Sequence, residues 1–328
     1  MNASGGGPDA PHRPVLLAEA VQYLAPERGG LFVDATLGLG GHSEALLEAN
    51  PQARVIGIDR DREALQFAEQ RLARFEGRFR PVHANFGEIR RVLKDAGETE
   101  ANGVLADLGV SSLQLDSEAR GFSFRHDAPL DMRMNAGDDE EETVAQLLAR
   151  LPEEEIARII FEYGEERKSR RIARWIVERR EQGRAIETTV ELAELVARAV
   201  GYKRTDHIHP ATRTFQALRI AVNRELEELA AFLEASIDLL QPSGRLVVIS
   251  FHSLEDRIVK RAFRRSAGQC ECDPRLPRCA CGARRDVEVL TRRPVTPTPA
   301  ERDANPRARS AKLRACRKLE DVAVARTY

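Results

Sequence analysis

Residues 31–43, Leu-Phe-Val-Asp-Ala-Thr-Leu-Gly-Leu-Gly-Gly-His-Ser, constrain this 328-residue chain more than any other stretch. Residues 31–33 suit a short buried strand. Gly38, Gly40 and Gly41 permit a tight turn with positive φ, and the helix formers after Ser43 restart regular structure. A bare turn that feeds a helix N-terminus lets a ligand lie against backbone and meet free N–H groups. Turns use glycine everywhere, so the motif alone does not separate a ligand loop from an ordinary connection.

A second apolar run sharpens the reading. Residues 54–59, Arg-Val-Ile-Gly-Ile-Asp, place Asp59 about 20 residues after the turn, the spacing at which a carboxylate reaches ribose hydroxyls in doubly wound sheets. An adenosine-containing cofactor fits. The nicotinamide fingerprint Gly-x-Gly-x-x-Gly is not met, because Ser43 stands at the third glycine and Asp34 closes the first strand. Asp-x-Thr-x-Gly-x-Gly resembles the first motif of S-adenosylmethionine-dependent methyltransferases, which leaves a nicotinamide-dependent oxidoreductase as the alternative.

The length accommodates a core and a second module. The formal net charge of −1 hides an asymmetry: residues 284–318 carry eleven basic side chains against four acidic ones. A patch of that sign suits nucleic-acid phosphates, although solvated charged tails are common. No run of about 18 apolar residues is present, so no membrane span is expected. Residues 1–11 are Gly-rich and polar without an apolar signal region, and read as a disordered leader on a cytoplasmic protein.

Along the chain, apolar residues at 16, 17, 20, 21 and 24 predict a helix. Residues 78–83 and 101–107 predict a third and a fourth strand, and Asp61 is placed to cap a helix between the second and third. Strands and helices alternating at this spacing argue an α/β, doubly wound, mostly parallel sheet. The rhythm then stops. Residues 115–214 offer helical stripes (Ile156, Ile159, Ile160, Tyr163; then Ile172, Trp175, Ile176), a capping box at Thr188–Glu191, a five-acid run at 138–142, and no convincing strand. We therefore expect a methyltransferase-type domain in two parts, 12–114 and 215–328, interrupted by an inserted all-helical substrate-recognition domain. The second part opens with one long helix over 215–240, a turn at 241–244 and a fifth strand at 245–250.

The exit of the fourth strand, Asp107-Leu-Gly-Val-Ser-Ser112, should face the cofactor, since ligands bind at the carboxyl ends of such strands. An exocyclic amine of a nucleobase is a poor nucleophile, because its lone pair is delocalised into the ring. An enzyme must hold it with acceptors so that the lone pair points at the methyl donor. Asp107 suits that task, or the binding of a cofactor's amino-acid end, or a plain turn cap.

Several longer motifs extend the pattern: Arg120-Gly-Phe-Ser-Phe-Arg125, Pro129-Leu-Asp-Met-Arg-Met134, Tyr163-Gly-Glu-Glu166, residues 209–223 beginning His-Pro-Ala-Thr-Arg, residues 249–260 containing Phe251-His-Ser-Leu-Glu-Asp256, and residues 305–314. Together they make the chain resemble the RsmH/MraW family of bacterial 16S ribosomal RNA cytosine N4-methyltransferases. The match runs from about His12 to Arg317.

The resemblance implies a Rossmann-like fold and S-adenosyl-L-methionine as donor. It implies one cytidine of the decoding region as acceptor, in the 30S subunit or a late assembly intermediate. By motif it places Gly40, Gly41 and His42 at the cofactor turn, Asp59 at the ribose, Phe86 against adenine, and Asp107 and Gln114 toward the methionine end. The Pro-Pro-Tyr signature of other N4-amine methyltransferases is absent, and Asp-Leu-Gly-Val-Ser-Ser stands in its place. A stacking aromatic must then come from elsewhere, with Phe122, Phe124 and Phe251 as candidates. Asp107, Ser111 and His252 are the candidate catalytic residues, His252 being equally readable as a structural residue after a strand. Arg213 and Arg219 are candidate phosphate contacts. Cys270, Cys272, Cys279 and Cys281 are candidate ligands of a structural zinc within a Cys-rich loop at 270–281, although Cys-x-Cys is less diagnostic than Cys-x-x-Cys. The oligomeric state, monomer or homodimer, stays open.

Overall fold

A computed structural model describes residues 14–135, 141–202, 209–270, 272, 275–276 and 284–320. The expected leader, residues 138–140 of the acidic run, and Cys279 and Cys281 lie outside them. The chain divides into two compact units, one made of residues up to Gly109 and from Glu228 onward, the other of Val110–Glu227.

The first unit holds one seven-stranded sheet. Its strands are β1 (Gly30–Asp34), β2 (Ala53–Asp59), β3 (Phe79–His83), β4 (Ala101–Asp107), β5 (Leu240–Ser250), β6 (Val287–Val289) and β7 (Lys312–Lys318), in the order β3-β2-β1-β4-β5-β7-β6. The first five run parallel, while β7 is antiparallel to β5 and to β6. Helices α1 (Leu17–Leu24), α2 (Gly41–Ala49), α3 (Arg62–Leu72) and α4 (Ile89–Asp95) belong to this unit, and the last three make the crossovers between the first four strands.

Period-two alternation explains why these segments are strands. Val33, Ile56, Ile58, Val104, Leu246 and Val248 bury into one core, whereas Phe32, Val55, Leu105, Val247 and Ile249 bury into the core on the opposite face. Each such side chain contributes roughly 1.5–3 kcal/mol on burial. Strand order reverses between β1 and β4, which opens a crevice at their carboxyl ends.

The second unit is helical, with α5 (Ser112–Asp116), α6 (Val144–Arg150), α7 (Glu153–Gly164), α8 (Ser169–Glu181), α9 (Thr189–Val200) and α10 (Ala211–Asn223). Ile156, Ile160, Ile172, Ile176, Leu192, Val196 and Leu218 form its core. Thr188 accepts from the Glu191 amide in the expected capping box. Among the described residues the unit's only β pairing is one bridge, Pro129 to Thr188. At the end of α7, a Cβ on Gly164 would lie 2.7 Å from the Arg213 carbonyl, so only glycine lets α7 and α10 approach this closely.

The expected long helix over 215–240 is two helices, α10 and α11 (Glu225–Leu239), because Arg224 takes a left-handed conformation at φ 51 and closes the first. The turn expected at 241–244 is an irregularity inside β5. Ser243 sits at φ 65, and the pairing register shifts between Ala101 and Gly103. After β5 come α12 (Ser253–Ser266) and α13 (Pro299–Ala304). No described helix is long and apolar enough to cross a membrane.

Candidate active site

The carboxyl ends of β1, β2 and β4 bring three acids to one edge of the sheet. Asp34 ends β1 fully buried, and its carboxylate accepts from Ser43 Oγ at 2.7 Å and from the Thr36 amide at 3.4 Å. Burial pushes its pKa up to about 6, against the lowering effect of those hydrogen bonds. Asp59 ends β2. Its Oδ2 accepts from the Gly38 amide at 2.8 Å and its Oδ1 from the Asp61 amide at 2.9 Å, so the carboxylate ties the second strand to the glycine turn. Burial raises its pKa as well.

Asp107 ends β4, and its pKa stands well above the usual carboxylate range, through burial first and then the charges of Asp34 and Glu255. Its amide donates to Thr36 Oγ1 at 2.6 Å, yet its buried Oδ1 has no hydrogen-bond partner among the described residues. On the other side of the carboxylate, Oδ2 lies 3.8 Å from His42 Nδ1. An orphaned buried carboxylate oxygen is costly and points to a donor supplied from outside the chain.

The glycine turn is pinned on both sides, since the Ala35 amide donates to the Leu105 carbonyl and the Leu37 amide to the Ile58 carbonyl. Gly38 takes φ 51, and a Cβ there would meet nothing nearer than the Thr36 carbonyl at 4.0 Å, so the space above the turn is open to a ligand. Gly40 is the N-cap of α2 at φ 76. Gly41 is glycine for a different reason: a Cβ would fall 2.3 Å from Pro14 Cγ. His42 is buried, with Nε2 3.2 Å from the Val15 carbonyl. A carbonyl only accepts, so Nε2 carries a proton and Nδ1 is the atom that faces Asp107.

Phe86 follows β3 and packs edge-to-face on Phe232, ring centroids 5.3 Å apart. His252 is the N-cap of α12. Its Nδ1 accepts from the Glu255 amide at 3.4 Å, while Glu255 accepts from the Phe251 amide at 2.8 Å. The ring is thus engaged in holding the helix that leaves β5. Of the three candidate aromatics, Phe122 and Phe124 pack with the core of the helical unit, Phe124 lying 4.9 Å from both His209 and Phe215. Phe251 belongs to the sheet unit and stands 3.3 Å from where a Cβ of Gly109 would be.

Ser111 and Gln114 fall in the helical unit. Ser111 caps α5, its hydroxyl accepting from the Gln114 amide; in return Gln114 Oε1 accepts from the Ser111 amide, and Gln114 Nε2 donates to the Met134 carbonyl at 3.4 Å. Arg219 is not a free phosphate contact: its guanidinium makes a two-point pair with Glu225 at 2.8 and 2.9 Å. Arg213 remains exposed, 3.9 Å from Glu166. Of the cysteines, Cys272 donates its amide to Cys270 Sγ at 3.4 Å.

Asp34, Thr36 and Ser43 have no assigned role in the sequence reading. The signal is there, because a carboxylate closing an apolar strand, with two hydroxyl residues within nine positions, is the composition of a buried and satisfied acid.

A family model described as the MraW methylase family matches residues 9–319. The chain is 55% identical over 313 residues to the Ribosomal RNA small subunit methyltransferase H of Geobacter sulfurreducens, covering 94% of this chain and 99% of that protein. It is 50% identical over 308 residues to the protein of the same name from Carboxydothermus hydrogenoformans, covering 94% and 98%. A solved rRNA methylase from Streptococcus thermophilus is a distant likeness, at 11% identity over 95% of this chain and 99% of its own, with a TM-score of 0.42. With a family model spanning nearly its whole length and relatives at this identity, the chain belongs to the MraW methylase family.

Proposed function

We propose that the protein transfers a methyl group from S-adenosyl-L-methionine to the exocyclic N4 amine of one cytidine in 16S ribosomal RNA. The acceptor particle is the 30S subunit or a late assembly intermediate, in the cytoplasm. Family membership and the names of the relatives support the reaction class, and the observation that carries it is Asp107, a carboxylate with a buried, unpartnered Oδ1 at the strand order's switch point. Hydride transfer to a nicotinamide has nothing beyond the general fold in its favour.

The residues fit the donor. A crevice with three acids whose charge is opposed by burial favours a ligand bearing positive charge, and the open face of Gly38 favours an adenosine group. When bound, S-adenosyl-L-methionine supplies a methyl group made electrophilic by its sulfonium. Asp59 keeps lone pairs for ribose hydroxyls after accepting from Gly38 and Asp61. Phe86 covers the adenine, Gly40, Gly41 and His42 form the turn, and Gln114 serves the amino-acid end.

Asp107 accepts an N–H of the target amine, which fixes the nitrogen's orientation for in-line displacement. Only the ionised carboxylate accepts with both oxygens, so transfer should quicken as pH rises through the raised pKa of Asp107. Ser111 is a second acceptor. His252 acts as a positioning residue, through the cap that sets the path of Phe251. The four cysteines 270, 272, 279 and 281 are assigned to a structural zinc, which elemental analysis of the purified protein tests.

The reading is tested with labelled donor and 30S particles lacking the modification, followed by nucleoside mass spectrometry. N4-methylcytidine is the expected product. Label on another nucleoside, or no transfer despite tight donor binding, contradicts the assignment.

A further inference from the structure

We infer that the outward face of α12 is a contact surface for the phosphate backbone of the substrate RNA beside the target nucleotide. The inference rests on the function proposed above. The helix starts at Ser253, just past the carboxyl end of β5, whose Ile249 is in register with Asp107. Val259 and Phe263 turn inward and are buried. Opposite them, Arg257, Lys260, Arg261, Arg264 and Arg265 share one outward face. From Arg257 to Arg265 this stripe covers about 12 Å at 1.5 Å of rise per residue.

Several exposed arginines elsewhere are matched with acids, Arg91 with Glu88 and Asp95, Arg150 with Glu142, Arg158 with Glu155 and Glu162, whereas Lys260, Arg261, Arg264 and Arg265 pair with no acid among the described residues. On α12 the two acids face away. Glu255 caps the helix, and Asp256 is taken up by Arg314 at 2.6 Å and Lys312 at 3.4 Å. Lys260, Arg261 and Arg265 make no ion pair with any described residue, and Arg264 donates to the neutral Gln269.

Arg264 and Arg265 gain from the helix dipole in the last turn, but Lys260 and Arg261, in mid-helix, do not. Cations spaced three and four apart, such as Arg257 with Lys260 and Arg261, or Lys260 with Arg264, repel one another. A polyanion laid along the face would relieve that repulsion. The cations of β7 differ, since Lys312, Arg314, Arg317 and Lys318 are all engaged within the sheet unit.

The test combines Lys260→Ala, Arg261→Ala and Arg265→Ala, with Arg158→Ala as a control whose cation is already paired. Methyl transfer to 30S particles lacking the modification is followed across salt concentrations. The triple variant should raise KM for the particle tenfold or more, leave kcat and donor affinity unchanged, and flatten the salt dependence of log KM by about 2, given roughly 0.7 for each single-strand phosphate no longer neutralised. A second variant with Lys260→Arg, Arg261→Lys and Arg265→Lys should restore the wild-type slope. An unaltered KM and slope in the alanine variant, with an active wild type, would overturn the inference alone. A wild type that leaves the particles unmethylated would overturn the functional reading and this surface with it.

Discussion

The acidic edge of the sheet and the basic face of α12 both carry charge that the chain leaves uncompensated, and they differ in burial. At Asp34, Asp59 and Asp107 burial opposes the charged form, and its cost appears as raised pKa values. On α12 the cations stay in water, where the consequence is attraction for a polyanion, weakened by salt. The first kind of site responds to pH and to a small cationic ligand. The second responds to ionic strength.

The sharpest way to break this comparison is Asp107→Asn. It keeps the shape but removes the acceptor charge, and single-turnover methyl transfer should fall about 10²–10³-fold, as when one preorganised polar partner of a reaction is removed. A loss smaller than about fivefold would remove Asp107 from the chemistry.

Asp34→Asn tests the energetic side. A folded pKa of about 6 against an ordinary 3.8 means that the folded state binds the proton more tightly, so stability falls as pH rises through that window. The burden above pH 6 is about 3 kcal/mol. The asparagine variant should therefore melt several degrees higher than wild type at pH 7.5 and show no gain at pH 4, by calorimetry at both values. A lower melting temperature at pH 7.5 would show that the hydrogen bond from Ser43 outweighs the buried charge.

Asp59→Ala should weaken donor binding about 10- to 100-fold by titration calorimetry, the range of a charge-assisted hydrogen bond. Near-normal affinity would contradict the ribose assignment. The smallest effect belongs to Arg158→Ala on α7, an exposed and already paired cation, which should change stability by no more than about 0.5 kcal/mol.

Much of the fold and of the site is legible in the sequence. Four of the five parallel strands announce themselves as apolar runs, Asp59 by its distance from the glycine turn, and the Thr188 cap by its partner Glu191. The two strands after β5 do not. β7 reads Lys-Leu-Arg-Ala-Cys-Arg-Lys, and its buried Arg314 is tolerated only because Asp256, far away in sequence, pairs with it. Burial lifts the Asp256 carboxyl, but Arg314 and Lys312 outweigh that and hold it below the ordinary value. The break between α10 and α11 is hidden because a non-glycine residue, Arg224, takes the left-handed conformation there while the apolar periodicity continues. The orphaned oxygen of Asp107 has no sequence signature at all, since it depends on what the fold withholds from it.

The central claim is that the acidic edge stays uncompensated until a cationic ligand arrives. Titration calorimetry of the wild-type protein with S-adenosyl-L-methionine near pH 6, repeated in buffers of differing ionisation enthalpy, tests it directly. The account predicts net proton release on binding, as the ligand's positive charge draws the raised carboxyl pKa values down, and less release with S-adenosylhomocysteine, which lacks the sulfonium. Binding with no proton exchange, or with proton uptake, would contradict it.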